Sequence, residues 1–139
     1  SGFRTVIGDA VERDDAKVKR IVLCAGQVYY DLAAGRKERG MEEEVAIVRV
    51  EQLYPFPYEV LAAELSRYTN ATEIMWAQEE PKNQGAWYQI RHRIEAVSTD
   101  KQKVLFAGRP ASASPAVGYM SKHAAQLKAL VDDAFNLEA

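Results

Sequence analysis

Two stretches of this chain gather residues that could do chemistry. Glu79-Glu80-Pro81-Lys82-Asn83-Gln84-Gly85-Ala86-Trp87 sets two carboxylates, two amides and an ammonium beside a proline and an indole. Adjacent carboxylates suggest an acid–base pair. Consecutive residues leaving a strand point in different directions, however, so a structural or interface role fits the loop better, with Asn83 as a helix cap. The second stretch, Gly108-Arg109-Pro110-Ala111-Ser112-Ala113-Ser114-Pro115-Ala116-Val117-Gly118, is built mostly of small residues around one guanidinium. Arg109 with Ser112 and Ser114 could hold a phosphate or carboxylate, because the guanidinium supplies forked donors and the hydroxyls add more. Pairing of the same arginine with a carboxylate at a domain interface fits it better.

Other chemistries lack their residues. His92 lies between two arginines and reads as a surface residue, whereas His123 reads as a packing residue near the start of the last helix. Neither stands at a recognisable spacing from a serine or cysteine nucleophile, and the two are too far apart in sequence to suggest a metal site. Cys24 sits in an apolar run and reads as a small buried hydrophobe rather than a reactive thiol. Cys24-Ala25-Gly26-Gln27 has one glycine where a phosphate-cradling loop needs several. Basic and acidic residues number 18 and 20, a net charge of -2, so there is no basic field for nucleic acid. No run approaches the ~20 apolar residues of a membrane span, and Ser1-Gly2-Phe3-Arg4-Thr5 is no signal peptide.

The elements that must position these loops are legible from periodicity. At 139 residues the chain can form one domain burying roughly 65–70% of its unfolded surface. Arg20 to Ala25, Val45 to Val50, Glu73 to Gln78 and Lys103 to Ala107 are short apolar runs of the kind covered on both faces of a sheet. Each is followed by a helical stripe. The stripes are Val28, Tyr29, Leu32 and Ala33, closed by Gly40; Leu61, Leu65 and Tyr68 after Pro57; Trp87, Ile90, Ile94 and Val97; and Leu127, Leu130, Val131 and Ala134, with Ser121 as a cap. Four strand–helix alternations predict an α/β fold with a mostly parallel sheet and helices on both faces. Residues 1–19 lack periodicity and read as a linker or tether, leaving 20–139 as the domain. Glu42-Glu43-Glu44 reads as a solvated turn. Leu53-Tyr54-Pro55-Phe56-Pro57 is stiff and aromatic, suited either to pressing on a neighbouring domain or subunit or to capping the domain's own core.

The Glu79–Trp87 loop, preceded by Glu51-Gln52-Leu53-Tyr54-Pro55-Phe56-Pro57 and followed by the Gly108–Gly118 stretch, closely resembles the C-terminal region of 2-oxoglutarate dehydrogenase first components. Ile21 to Gly26 and Val45 to Leu53 are similar to it as well, so the resemblance covers nearly everything beyond the first 19 residues. It implies a transketolase-type C-terminal domain of about five strands, supporting a homodimer and cut from the C-terminal end of a longer chain. The parent enzyme would use thiamine diphosphate and magnesium to decarboxylate 2-oxoglutarate and pass succinyl groups to the lipoyl succinyltransferase partner. Its home would be the bacterial cytoplasm or the mitochondrial matrix. Gly8-Asp9-Ala10 lacks the second glycine and the asparagine of the metal–diphosphate motif, so no cofactor and no catalysis are expected in this chain alone. Contacts with the remaining domains or the second subunit are expected from Tyr54, Phe56, Glu79, Glu80, Lys82, Asn83, Gln84 and Trp87, with Tyr54 and Phe56 in an exposed apolar surface. The resemblance also implies an alternative role as an effector module for acetyl-CoA or adenine nucleotide, for which the donors of Arg109, Ser112 and Ser114 are the expected contacts.

Overall fold

The computed structural model describes residues 4–109 and 120–137. Nine elements alternate along them. They are β1 (Val6–Ile7), β2 (Arg20–Cys24), α1 (Val28–Glu38), β3 (Val45–Val50), α2 (Tyr58–Leu65), β4 (Glu73–Pro81), α3 (Trp87–Val97), β5 (Lys103–Arg109) and α4 (Met120–Phe135). The sheet order is β1-β3-β2-β4-β5, with β1 antiparallel and every other pairing parallel. This is a three-layer α/β fold.

The unbroken apolar runs have the cause expected of them, since both faces of the parallel strands are covered. Side chains alternate between two cores with the period of two that a strand imposes. Ile21, Leu23, Ala46, Val48, Ile74 and Trp76 join α2 and α3 in one core, through Leu61, Leu65, Ile90 and Ile94. Val22, Cys24, Val45, Ile47, Met75 and Ala77 join α1 and α4 in the other, through Leu32, Leu130, Val131 and Ala134. Each fully buried aliphatic side chain of this kind contributes about 1.5–3 kcal/mol. Gly40 follows α1 with φ +64°, the left-handed residue that ends the helix.

Four expectations need correcting. Residues 6–18, read as linker or tether, carry packed structure. Val6 and Ile7 pair with Val50 and Arg49, a one-turn 3-10 segment spans Asp15–Lys17, and Val18 is buried. Their close-set charges hid this, because two of them, Asp9 and Arg13, are paired inward rather than solvated. Strand β4 runs on to Pro81 and β5 to Arg109, beyond the apolar runs, because the ladder resumes after an irregularity between Ala77 and Pro81. Lys82 N–H then donates to Arg109 O at 2.9 Å. Asn83 is not the helix cap: α3 starts after Ala86, with no side-chain cap. Tyr68 is buried but lies in the turn beyond α2. Ser112 and Ser114 fall outside the described residues, as do the side chains of Ser121 and His123, so the cap expected of Ser121 falls outside them too.

Candidate functional site

At the junction of β2 and β4 the chain leaves neighbouring strands toward opposite faces, α1 to one and α3 to the other. A crevice opens at such a switch point, beyond the carboxyl ends of the strands. Here it is a cleft of about 570 Å³. One wall is Ala25 to Val28, where β2 turns into α1; the other comprises the end of β4 with Gly85, Ala86 and Gln89 at the start of α3; Leu53 and Tyr54 form the lip. Three of the four loops marked by the sequence therefore meet at one place.

Gln78 builds the second wall, and its role was not legible from sequence. Its buried amide oxygen accepts from Trp76 Nε1 at 2.8 Å. Its nitrogen donates to the carbonyls of Glu80 (3.2 Å), Pro81 (2.9 Å) and Gln84 (2.7 Å). A buried amide satisfied this fully pins the loop around itself. Gly85, at φ +67°, closes the loop, and a Cβ there would lie 3.1 Å from Gln78 Oε1 and 3.2 Å from Glu80 Oε1. The glycine fits both a backbone conformation and a close approach.

The loop's remaining residues divide by exposure. Glu80, Asn83 and Gln84 are exposed, Glu79 and Lys82 half-buried. Trp87 is in the core, its ring 5.2 Å from that of Phe106. Tyr54 is 56% exposed, its hydroxyl hydrogen-bonded to Gln89 Oε1, whereas Phe56 is buried against Tyr58. An exposed surface thus contains Tyr54 but not Phe56, whose ring seals this domain's own core. The intervening Tyr54–Pro55 peptide is cis. Arg109 does not reach into the cleft. Its Nε donates to Glu79 O at 3.2 Å and its Nη1 to Gln126 Oε1 at 3.0 Å, tying β4 to α4.

Electrostatics limit what the cleft can hold. Glu79 and Glu80 are its only charged lining residues among those described. The N-termini of α1 and α3 face it, each worth roughly +0.5 charge. Two full negative charges outweigh them, so the cleft favours cations over phosphates. Among the described lining residues no serine, threonine, cysteine or histidine accompanies the two carboxylates. Cys24 is buried, and that burial, with Glu51 nearby, pushes its thiol up to about 12; His92 is exposed on α3. Among the described residues no group of three His, Cys, Asp or Glu could hold a metal ion, and no helix is long and apolar enough to cross a membrane.

A metal-bridged diphosphate has no place on Asp9, the one residue in a partial motif for it. The carboxylate is buried and already bound to Arg36, to Arg13 Nη2 at 3.0 Å, and to the backbone N–H groups of Ile47 (2.8 Å) and Val11 (3.0 Å). Burial alone would raise its pKa; Arg36 and those N–H groups overcome this and hold it below the usual carboxylate value. A carboxylate so committed is no metal ligand, so Asp9 gives a metal-bound diphosphate no anchor.

Fold and cleft together define a switch-point α/β domain whose loop after β4 is pinned around the Gln78 amide. The family model for the 2-oxoglutarate dehydrogenase C-terminal region matches residues 1–135, and the chain belongs to that family. It is 57% identical over 133 residues to the 2-oxoglutarate dehydrogenase E1 component of Cupriavidus necator, and 52% identical over 134 residues to that of Haemophilus influenzae. The Azotobacter vinelandii E1 component is 50% identical over 138 residues. These alignments cover 96%, 96% and 97% of this chain but 14% of each relative, so the chain spans about one-seventh of their length.

Proposed function

We propose that the chain serves as a structural, dimer-supporting domain of a 2-oxoglutarate dehydrogenase first component and is not catalytic on its own. The observation that carries this reading is the pairing of a family match along residues 1–135 with a cleft whose described lining sets no serine, threonine, cysteine or histidine beside its two carboxylates. In the parent enzyme, thiamine diphosphate and magnesium would be held by domains outside these 139 residues. That enzyme would decarboxylate 2-oxoglutarate and pass the succinyl group to the lipoyl succinyltransferase partner. The commitment of Asp9 to Arg36 and Arg13 supports placing the cofactor elsewhere.

The test is to mix the purified chain with thiamine diphosphate, magnesium and 2-oxoglutarate and measure carbon dioxide release, with calorimetric titration of the cofactor on the same sample. No turnover and no cofactor heat are expected; turnover would overturn the reading. Titration with acetyl-CoA and AMP addresses the effector alternative. Any heat they give must fall in Arg109→Ala for the Arg109 loop to be the receptor.

A further inference from the structure

We propose that residues 5–18 form a strap that opens as a unit while the rest of the sheet stays folded, with Asp9 as its latch. The inference goes beyond the function proposed above and does not depend on it.

The strap lies along the outer edge of β3. Its ladder is short, Val6 and Ile7 against Val50 and Arg49, extended by the Glu51 N–H donating to Thr5 O at 2.8 Å. Only Val6 near one end and Val18 at the other belong to a buried core. Between those anchors the attachment is polar. Asp9 holds Arg36 and accepts from the Ile47 N–H, Arg67 beyond α2 reaches Asp15 at 3.2 Å, and Asn70 Nδ2 donates to Ala16 O at 2.9 Å. A segment with so few buried apolar contacts opens at less cost than the core on which it lies.

The closed latch is also incompletely satisfied. Arg13 Nε, Arg36 Nε and the Tyr68 hydroxyl are buried without a partner among the described residues. They belong to one cluster, since both arginines hold Asp9 and Arg13 Cζ lies 5.7 Å from the centre of the Tyr68 ring. An unpaired buried donor is costly. Opening the strap gives water access to all three groups and hydrates both charges of the Arg13–Asp9 pair together. Substituting one partner is different, because it strands the other inside a closed strap.

Release changes the sheet in two ways. The outer edge of β3 loses its cover at Ile47 and Glu51, and a bared apolar edge is a template for strand pairing. Arg36 keeps only Val45 O, at 3.0 Å, as its tie between α1 and that edge. The strap thus switches one edge of the sheet between covered and pairing-competent.

Hydrogen exchange in the whole chain over a series of urea concentrations below the unfolding transition tests this. The amides of Val11, Ile47 and Glu51 are held by strap contacts; those of the β2–β4 ladder are not. After correction for intrinsic rates, the strap amides are expected to exchange about a hundredfold faster or more, with a shallower urea dependence. Leu130→Ala separates the two openings, because Leu130 lies in the core on the other face of the sheet. With its fold confirmed by circular dichroism, that variant should speed exchange in the β2–β4 ladder by about tenfold or more and leave the strap amides unchanged. Equal protection and equal urea slopes in the wild-type chain would overturn the proposal. So would strap amides that lose protection in step with the ladder in Leu130→Ala.

Discussion

Asp9 shows how one side chain holds an edge in place. Strand β1 covers the outer side of β3 only at Val50 and Arg49; farther along that edge the Ile47 N–H is met by the Asp9 carboxylate instead. Arg36 then spans from Asp9 to Val45 O at 3.0 Å, so one buried ion pair also joins α1 to β3. Removing one partner of such a pair leaves the other charge buried. Asp9→Asn should therefore cost about 3–5 kcal/mol in urea denaturation at neutral pH. The folded pKa of Asp9 is depressed from 3.8, so its stabilisation is full above the unfolded value and is lost as pH falls through the folded one. The difference between wild type and Asp9→Asn should be flat above about pH 5 and shrink below about pH 4; a difference unchanged at pH 3 would mean the carboxylate charge is not what matters. Neither Asp9 nor Gln78 was legible as a linchpin. Their partners Arg36, Ile47, Trp76 and Gln84 are assembled by the fold, and a polar residue's spacing in sequence carries no record of that. Cys24, by contrast, was legible, because an apolar run buries whatever it contains.

At the scale of elements, α1 and α4 approach closely enough to dictate a residue. A Cβ on Gly35 would lie 2.2 Å from Val131 Cγ1, far inside contact distance. In an exposed helix, Gly→Ala gains roughly 1 kcal/mol. Here overpacking of about 1–3 kcal/mol opposes that gain, so Gly35→Ala should be neutral to destabilising by up to about 2 kcal/mol. Adding Val131→Ala removes the obstructing methyls, and the double variant should be more stable than the sum of the single changes. Thermal melts of the three variants check this, and strict additivity would show that the helices can move apart. The element pattern itself was readable because apolar stripes recur at 3.6 residues and buried strands show as short runs. The stripe Leu127, Leu130, Val131 and Ala134 correctly gave the face of α4. What it could not give was the partner helix, since Gly35 reads as an indifferent helical residue until Val131 is set against it. The ends of β4 and β5 were missed for a related reason: Glu79, Glu80 and Arg109 are polar, and their pairing depends on the irregularity that follows Ala77.

For the molecule as a whole, the open question is what holds the last helix onto the sheet. Packing against Leu32 and Met75 supplies area, but Arg20 supplies the lock. Its guanidinium is buried at the start of β2, with Nε donating to Glu73 Oε1 at 2.9 Å across to β4. Nη1 donates to the carbonyls of Asp133 (3.1 Å) and Ala134 (2.9 Å) in the final turn of α4. Those carbonyls belong to the group a helix cannot satisfy internally, and a cation beside them also meets the negative end of the helix dipole. One side chain thus ties two central strands to the C-terminal helix, closing the layer over the second core. Arg20→Met keeps most of the stem's packing but leaves Glu73 unpaired and the α4 terminus uncapped, so a loss of about 3 kcal/mol is expected. Hydrogen exchange separates this from general weakening. If Arg20 locks α4, its amides should exchange faster in the variant under native conditions while those of β2 and β3 keep their protection relative to global stability. If α4 loses protection only in step with the sheet, the helix is held by packing, and Arg20 serves the β2–β4 pair alone.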